Sequence, residues 1–410
     1  MYDKIESKNG IIGFAVGDAL GTPIEFMDRS RFIDNPVTEM LGNMSHKMPK
    51  GSWSDDTSMT LATVDAIITD ETNTYGHIFS SALTCKTIAD NFVKWLEKAE
   101  YTPTGRTFGV GNVCLKAISK YHGGVANAES CGCDGEMDNG NGSLMRMIPI
   151  IYYCDAHCLS DKQVYEMVKK VSSITHSNEV SVLGCYIYVY FGIGLLNGWT
   201  LEQAYEYIQS IWYEEYFDIE TIERYKRIID SNIKDEKAES ISSSGYVLHT
   251  LEATFWSLLN TDSYDSAVIK AINLGDDADT VGGCVGGLAG IYYGMDSINE
   301  NWRKELLKYD YIEDMCQKLD DVLNPILQDN MDFIAIKSLY PPKRNEKYEE
   351  SEACKRRNNW NEKYIWPQFE ENWKKETSQE EIMDMFKQQR EIHDRIDERI
   401  KKEIEPYIIK

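Results

Sequence analysis

The chain has 410 residues, 42% of them hydrophobic, with a formal net charge of −24. That length and apolar content suit one large domain with an appendage, or two domains. The acidity argues against a general nucleic-acid binder, which needs a basic face, and against docking on an anionic membrane surface.

The chain opens on Met1-Tyr2-Asp3-Lys4, which does not look like a signal peptide. No apolar run is expected to be long and clean enough to span a membrane. The 10 cysteines show no CxxC pair and no zinc spacing. Cys131-Gly132-Cys133 reads as loop, and Cys185 and Cys284 as small core residues. A reduced, cytoplasmic, soluble protein is therefore expected.

An ordered core is predicted to begin over residues 8–27. Gly13, Gly17 and Gly21 recur every fourth residue and form a small face that lets another helix approach closely. Asp18 and Glu25 speak against a membrane role for this stripe. Thr22-Pro23 ends the helix, and Glu25 follows in a turn.

Helical periodicity then dominates, over 57–69, 81–99, 161–173, 180–196, 201–213, 219–229, 246–259, 264–272 and 280–293. The aromatic run 186–191 has strand propensity, but its length and neighbours favour a buried helix. No alternating run elsewhere builds a sheet. The expectation is an all-α globule. The stretch 123–142 is a Gly-, Asn- and Asp-rich loop of the length that often carries function. Beyond about residue 335 the composition shifts. Pro341-Pro342 breaks the chain, and 378–404 reads as a long charged helix with a thin apolar stripe. It would dock on the domain or offer a helical face to a partner.

Chemistry concentrates in two acidic clusters more than two hundred residues apart. The first is Ser54-Asp55-Asp56-Thr57, the second Asp276-Asp277-Ala278-Asp279-Thr280. Each opens an apolar helix. Helix capping explains one or two such groups. It does not explain acids crowded at the mouth of a buried helix, which are costly unless a positive charge sits between them. Oxygen donors with no Cys or His pair select a hard cation, Mg²⁺ or Mn²⁺, possibly two ions. Two further segments suit an anionic ligand. Asn141-Gly142-Ser143 leads from a Gly-rich loop towards a helix predicted to start near Ser143, and Arg146 adds a positive fork. His176 precedes the helix from Glu179 and is either a satisfied structural residue or a hydrogen-bonding group for a sugar or phosphate.

Taken together, these segments resemble the ADP-ribosylglycohydrolases. The matching text is GFAVGDALGTPIEF at 13–26, GSWSDDTSMTLA at 51–62, DNGNGSLMR at 138–146, SSITHSNEVS at 172–181 and NLGDDADTVGGCVGGLAGIYYG at 273–294. The resemblance covers roughly residues 8–330, in family order. It implies an orthogonal all-α bundle over 1–335, with 336–410 as a charged, mostly helical extension. It also implies a binuclear Mg²⁺ or Mn²⁺ site. Carried over by motif position, the ligands would be Ser54, Asp55, Asp56, Asp277, Asp279 and Thr280. Asp276 is left out, because many members have Gly or Asn there. Asn141, Gly142 and Ser143 would lie along an ADP-ribose diphosphate or distal ribose, with Arg146 and His176 nearby.

The activity implied is hydrolysis of the glycosidic bond between ADP-ribose and a modified protein side chain or a small ADP-ribosyl compound. Glu25, Asp55 and Asp56 would be the catalytic carboxylates. Arginine is the linkage favoured. An ADP-ribosyl-serine or O-acyl-ADP-ribose hydrolase and a non-catalytic ADP-ribose binder are the alternatives. One departure bears on catalysis: a related branch carries a functional Asp in a Phe-Asp-Ile-Gly segment, where this chain reads Phe108-Gly109-Val110-Gly111.

Overall fold

In the computed structural model of the chain, residues 4–73, 83–337 and 352–365 are described. The first helices are α1 (Lys8–Gly21), α2 (Asp55–Asn73), α3 (Cys85–Lys98), α4 (Asn112–His122), α5 (Ile148–Ala156), α6 (Asp161–Ser173), α7 (Glu179–Leu196) and α8 (Leu201–Ile208). They are followed by α9 (Ile219–Arg224), α10 (Lys226–Ile229), α11 (Val247–Leu259), α12 (Tyr264–Ile272), α13 (Ala278–Tyr293), α14 (Glu300–Glu305), α15 (Tyr309–Lys337) and α16 (Glu352–Trp360). Among the described residues there is no strand, so the all-α expectation holds. Three isolated β-bridges join loops: Met27 with Asp276, Cys133 with His176, and Gly140 with Tyr246.

The core is organised by α1 lying on α13. The glycine stripe is what lets them meet. A Cβ placed on Gly17 would stand 2.0 Å from the Gly282 carbonyl oxygen, and one on Gly13 would stand 2.4 Å from that of Gly286. No side chain fits between these backbones, so van der Waals contact runs along the whole interface. Tyr264 Oη donates to the Gly13 carbonyl at 2.6 Å and ties α12 to the pair.

The stretch 186–191 lies inside α7, buried on every side. By length and composition α7 could cross a membrane, which corrects the expectation that no run would reach that standard. In this fold 83% of it is buried inside the protein, as suits a core helix. Its start is fixed by Asn178, whose side chain accepts from the Val180 N–H at 3.0 Å.

Other boundaries moved for local reasons. The helix predicted over 201–213 stops at Ile208. The one over 219–229 breaks at Tyr225, whose buried hydroxyl donates to the Val180 carbonyl at 2.6 Å. Instead of a helix starting near Ser143 there is a 3-10 turn, Leu144–Arg146, and α5 begins at Ile148 beside Pro149. Helix α15, with Pro325 inside it, covers the chain start. Asn324 Oδ1 accepts from the Ile5 N–H at 2.7 Å, and Asp320 Oδ1 from the Ser7 N–H at 3.0 Å.

The chain divides into two compact units, Met1–Leu327 and Gln328–Lys410. In the second, α16 leads into a π-helical turn, Asn361–Ile365, with the Trp360 and Tyr364 rings 5.7 Å apart. Pro341-Pro342 and the predicted helix over 378–404 lie outside the described residues.

Candidate active site

A cleft of about 280 Å³ opens in the first unit where the starts of α2, α4 and α13 meet the loops that carry Glu25, Gly109, Gly142, His176 and Gly245. Both acidic clusters reach it. Asp55 and Asp56 form the first turn of α2, and Asp277 and Asp279 flank the start of α13. Glu25 enters from the end of the 3-10 turn after α1. Glu25, Asp277 and Asp279 each offer a carboxylate oxygen, and these oxygens lie within 4.8 Å of one another.

The acids are held by specific contacts. The Asp277 carboxylate accepts from Asn141 Nδ2 at 2.5 Å and from Thr280 Oγ1 at 3.2 Å. Asp279 Oδ1 accepts from the Thr280 N–H at 3.0 Å. His46 Nε2 is hydrogen-bonded to Glu25 Oε2, and Ser45 Oγ donates to the Glu25 carbonyl at 2.7 Å. The loop carrying His46 therefore fixes both ends of Glu25. The His46 ring lies 5.2 Å from Phe108 and 6.0 Å from Phe26, centroid to centroid.

Burial and mutual repulsion make the cluster electrostatically tense. Burial, then Glu25 and Asp18, push the Asp55 carboxyl well above the ordinary carboxylate range. Asp56 is raised by burial, then by Asp18 and Asp55. Asp279 is raised by burial, then by Glu25 and Asp56. Asp277 is pushed up to about 6 by burial and by Glu25. Among the described residues no Lys or Arg lines the cleft to relieve this. Asp56 Oδ2 is buried without a hydrogen-bond partner. An orphaned carboxylate oxygen beside three converging acids fits a bound hard cation, because an all-oxygen donor set selects one.

The structure does not bring three predicted residues to the cleft. Ser54 Oγ accepts from the Asp56 N–H at 3.2 Å and so caps α2 from behind. Ser143 is fully buried, in contact with Ser172 Oγ at 3.0 Å and Cys185 Sγ at 3.4 Å. Arg146 is fully buried too. Its guanidinium donates to the Gly142 carbonyl, to the Val171 carbonyl at 3.1 Å and to Thr175 Oγ1 at 2.8 Å, and lies 5.0 Å over Phe92. Arg146 braces the glycine loop rather than facing a ligand.

Asn141, Gly142, His176 and Thr280 do line the cleft. The bridges Cys133–His176 and Gly140–Tyr246 tie the 123–142 loop to the segments that carry His176 and Tyr246. His176 is held neutral, its imidazole pushed down to about 3 by burial and by Arg146. Thr175 Oγ1 accepts from Arg146, so its own proton is free for His176 Nδ1, 2.8 Å away. With Thr175 as the donor to Nδ1, the ring proton lies on Nε2, beside Gly140 and Gly142.

Asp18 was missed as a site residue. It is fully buried in α1 under the first acidic cluster. Its carboxylate accepts from the Ser54 N–H at 2.9 Å, the Thr57 N–H at 3.0 Å, Thr57 Oγ1 at 2.6 Å and Thr22 Oγ1 at 2.8 Å. It fixes the start of α2 and so aims Asp55 and Asp56. The signal was present in the sequence: one carboxylate inside a run of glycine and alanine, four residues before Thr22. His46 gave no such signal, because it lies in an irregular loop.

The ADP-ribosylglycohydrolase family profile matches residues 5–326. Over 317 residues the chain is 29% identical to the "ADP-ribosylarginine hydrolase Tri1" of Serratia proteamaculans (strain 568), covering 77% of this chain and 78% of that protein. It is 30% identical over 319 residues to the protein of the same name from Pseudomonas putida (strain GB-1), with the same coverage of 77% and 78%. It is 27% identical over 304 residues to the ADP-ribosyl-dinitrogen reductase glycohydrolase of Rhodospirillum rubrum, covering 72% and 88%. Its fold matches a solved "ADP-ribosylglycohydrolase-related protein complex" with a TM-score of 0.63 at 23% identity, over 78% of this chain and 98% of that one. With both acidic clusters, the glycine loop and His176 in one cleft and the profile spanning the first unit, the chain belongs to the ADP-ribosylglycohydrolase family.

Proposed function

We propose that the protein is a metal-dependent hydrolase that cleaves the glycosidic bond between ADP-ribose and a modified arginine side chain of a protein, reversing ADP-ribosylation. The observation that carries this reading is the convergence of Glu25, Asp277 and Asp279 in a cleft whose other wall is Gly140, Asn141, Gly142 and His176. The family is metal-dependent, and this acidic trio can bind a metal. We assign two hard divalent ions, Mg²⁺ or Mn²⁺, to Asp55, Asp56, Asp277, Asp279 and Thr280, with Glu25 adjoining. Bound there, they would supply positive charge for ribose hydroxyls and Lewis acidity towards water.

The remaining work belongs to the chain. Glu25, anchored through one oxygen by His46, has its other oxygen free to orient or deprotonate a water at the anomeric carbon. The surrounding carboxylates stabilise the positive charge of an oxocarbenium-like state. Along the opposite wall, Arg146 draws the Gly142 carbonyl inward. Neutral His176 offers its Nε2–H to a ribose or phosphate oxygen.

The arginine linkage is supported by the two relatives named ADP-ribosylarginine hydrolase. The deciding experiment is incubation with ADP-ribosyl-arginine and ADP-ribosyl-serine peptides, with Mg²⁺ or Mn²⁺, scoring free ADP-ribose. Release from the arginine peptide only in the presence of metal is expected. ADP-ribose binding without release from either peptide would make the protein a reader instead.

We further propose that residues 336–410 lie outside the catalytic unit. The family match ends at residue 326, and the first compact unit ends at Leu327. A chain truncated after residue 342 should keep hydrolysis. A truncated chain that folds and binds metal but is inactive would show that the extension completes the site.

A further inference from the structure

We infer that Phe26 and Asp276 form a subsite at the cleft mouth for a planar cation, the guanidinium of the arginine from which ADP-ribose is removed. This rests on the arginine-linkage reading above and extends it to named residues.

Phe26 directly follows Glu25, lines the cleft and is 72% exposed. Asp276 directly precedes Asp277, lines the same cleft and is also exposed. Both are non-glycine residues in the left-handed region, Phe26 with φ +63° and Asp276 with φ +56°. Each such residue is strained and persists only where neighbours enforce it. Here a reciprocal pair enforces it. The Phe26 N–H donates to the Asp276 carbonyl at 2.6 Å, and the Asp276 N–H donates to the Met27 carbonyl at 2.8 Å. The strained bridge sets an aromatic side chain and a carboxylate on adjoining strips of backbone, next to Glu25 on one side and Asp277 on the other.

Neither side chain is used up by the fold. Among the described residues, the Asp276 carboxylate accepts no hydrogen bond and forms no ion pair. The neighbouring cation, Arg29, spends its guanidinium on the carbonyls of Leu274, Ala238 and Ile241. Among the described residues the His46 ring, at 6.0 Å, is the one ring within stacking range of Phe26.

An exposed ring face beside an unpaired carboxylate, at the mouth of a cleft with no Lys or Arg among its described residues, suits a flat cation. A guanidinium stacks on the ring and forks onto the carboxylate. A serine hydroxyl offers neither the charge nor the flat face, and an acyl group lacks the charge. The position also matches the geometry of the reaction, because the leaving group must sit beside the carboxylates that act at the anomeric carbon.

The test uses the full chain with Mg²⁺ and ADP-ribose bound, and agmatine as the guanidinium probe in calorimetry. F26A and D276N should each weaken agmatine about tenfold, which corresponds to about 1.4 kcal/mol. F26Y should restore the affinity, and ADP-ribose affinity should stay constant across the set. Arginine-linked peptide should show a matching rise in KM in F26A and D276N. Equal agmatine affinity in wild type, F26A and D276N would overturn the subsite, as would a wild type that binds no agmatine or a parallel loss of ADP-ribose affinity. If the wild type hydrolyses only the serine linkage, the linkage reading falls. The agmatine measurement still decides the subsite in that case, because it does not depend on turnover.

Discussion

Gly109 lies against the carboxylate of Asp55: a Cβ on Gly109 would stand 2.2 Å from Asp55 Oδ1, and Gly109 itself has φ +79°. Where a related branch carries an acid, this chain has the one residue that leaves Asp55 its place. Gly109→Ala should therefore cost roughly 1–2 kcal/mol for the left-handed backbone and displace Asp55 as well. Turnover should fall at least about tenfold, with weaker Mn²⁺ binding by calorimetry. Gly109→Asp should do no better. Wild-type turnover and metal affinity in Gly109→Ala would show that Asp55 does not need this packing.

Glu25 is held by His46 and sits beside Asp277 and Asp279, so charge rather than shape is its contribution. Glu25→Gln keeps the size and a hydrogen-bonding group for His46. It should lower turnover on the order of a hundredfold or more, the usual scale for a general base. ADP-ribose affinity should persist, because the glycine loop is a separate wall. Near-normal turnover would return the role to Asp55 or Asp56.

Much of this site was legible in the sequence because its chemistry is local. Asp55 and Asp56, Asp277 and Asp279 are adjacent or nearly so, and each pair opens an apolar helix. The glycine stripe announced the α1–α13 contact for the same reason. What was not legible is long-range. The brace from Arg146 to Val171 and the bonds from Ser54 and Thr57 to Asp18 span 25 to 39 positions, and a residue type does not reveal its partner. Arg146 reads as a ligand fork until its burial is known. The three loop bridges that build the cleft walls join positions 43 to 249 apart and leave no periodicity to read (133 to 176, 140 to 246, 27 to 276).

The α1–α13 interface gives a stability prediction independent of catalysis. A methyl group at Gly17 would meet the Gly282 carbonyl oxygen at 2.0 Å, and backbone on both sides cannot yield. Gly17→Ala should destabilise by about 3 kcal/mol or more. At roughly 2–4 °C per kcal/mol this is a fall in Tm of roughly 6–12 °C in thermal unfolding. An unchanged Tm would mean that the helices are not in backbone contact.

Gly142 is closed in on two sides. A Cβ there would lie 2.7 Å from Cys114 Sγ and 2.9 Å from His176 Cε1. Gly142→Val should push His176 out of line and weaken ADP-ribose binding at least about tenfold. The fold should be kept, because the displaced groups border the cleft. Unchanged affinity by calorimetry would move the diphosphate away from this loop.

The acid cluster makes stability depend on pH and metal together. In the metal-free protein Asp277 titrates at about 6, and Asp55, Asp56 and Asp279 lie well above the ordinary carboxylate range. Such carboxyls bind protons more tightly folded than unfolded. Their contribution to stability is complete below the unfolded value, about 4, and is lost as pH rises through about 6 and beyond. Chelated protein should therefore lose Tm between pH 5 and pH 8. Asp320, pushed up to about 6 by burial, and Glu252, pushed up to about 7 by burial against the Arg227 ion pair, lie outside the cleft and add a slope of the same sign that a metal bound in the cleft does not change. The part owed to the site is the part that metal removes. Mn²⁺ or Mg²⁺ should raise Tm by several degrees at pH 8 and little at pH 5, because at low pH protons compete for the same oxygens. Thermal unfolding across this range, with EDTA and with each cation, separates the two contributions. A metal effect equally large at pH 5 and pH 8, or none at either, would mean that these carboxylates are not the ligands.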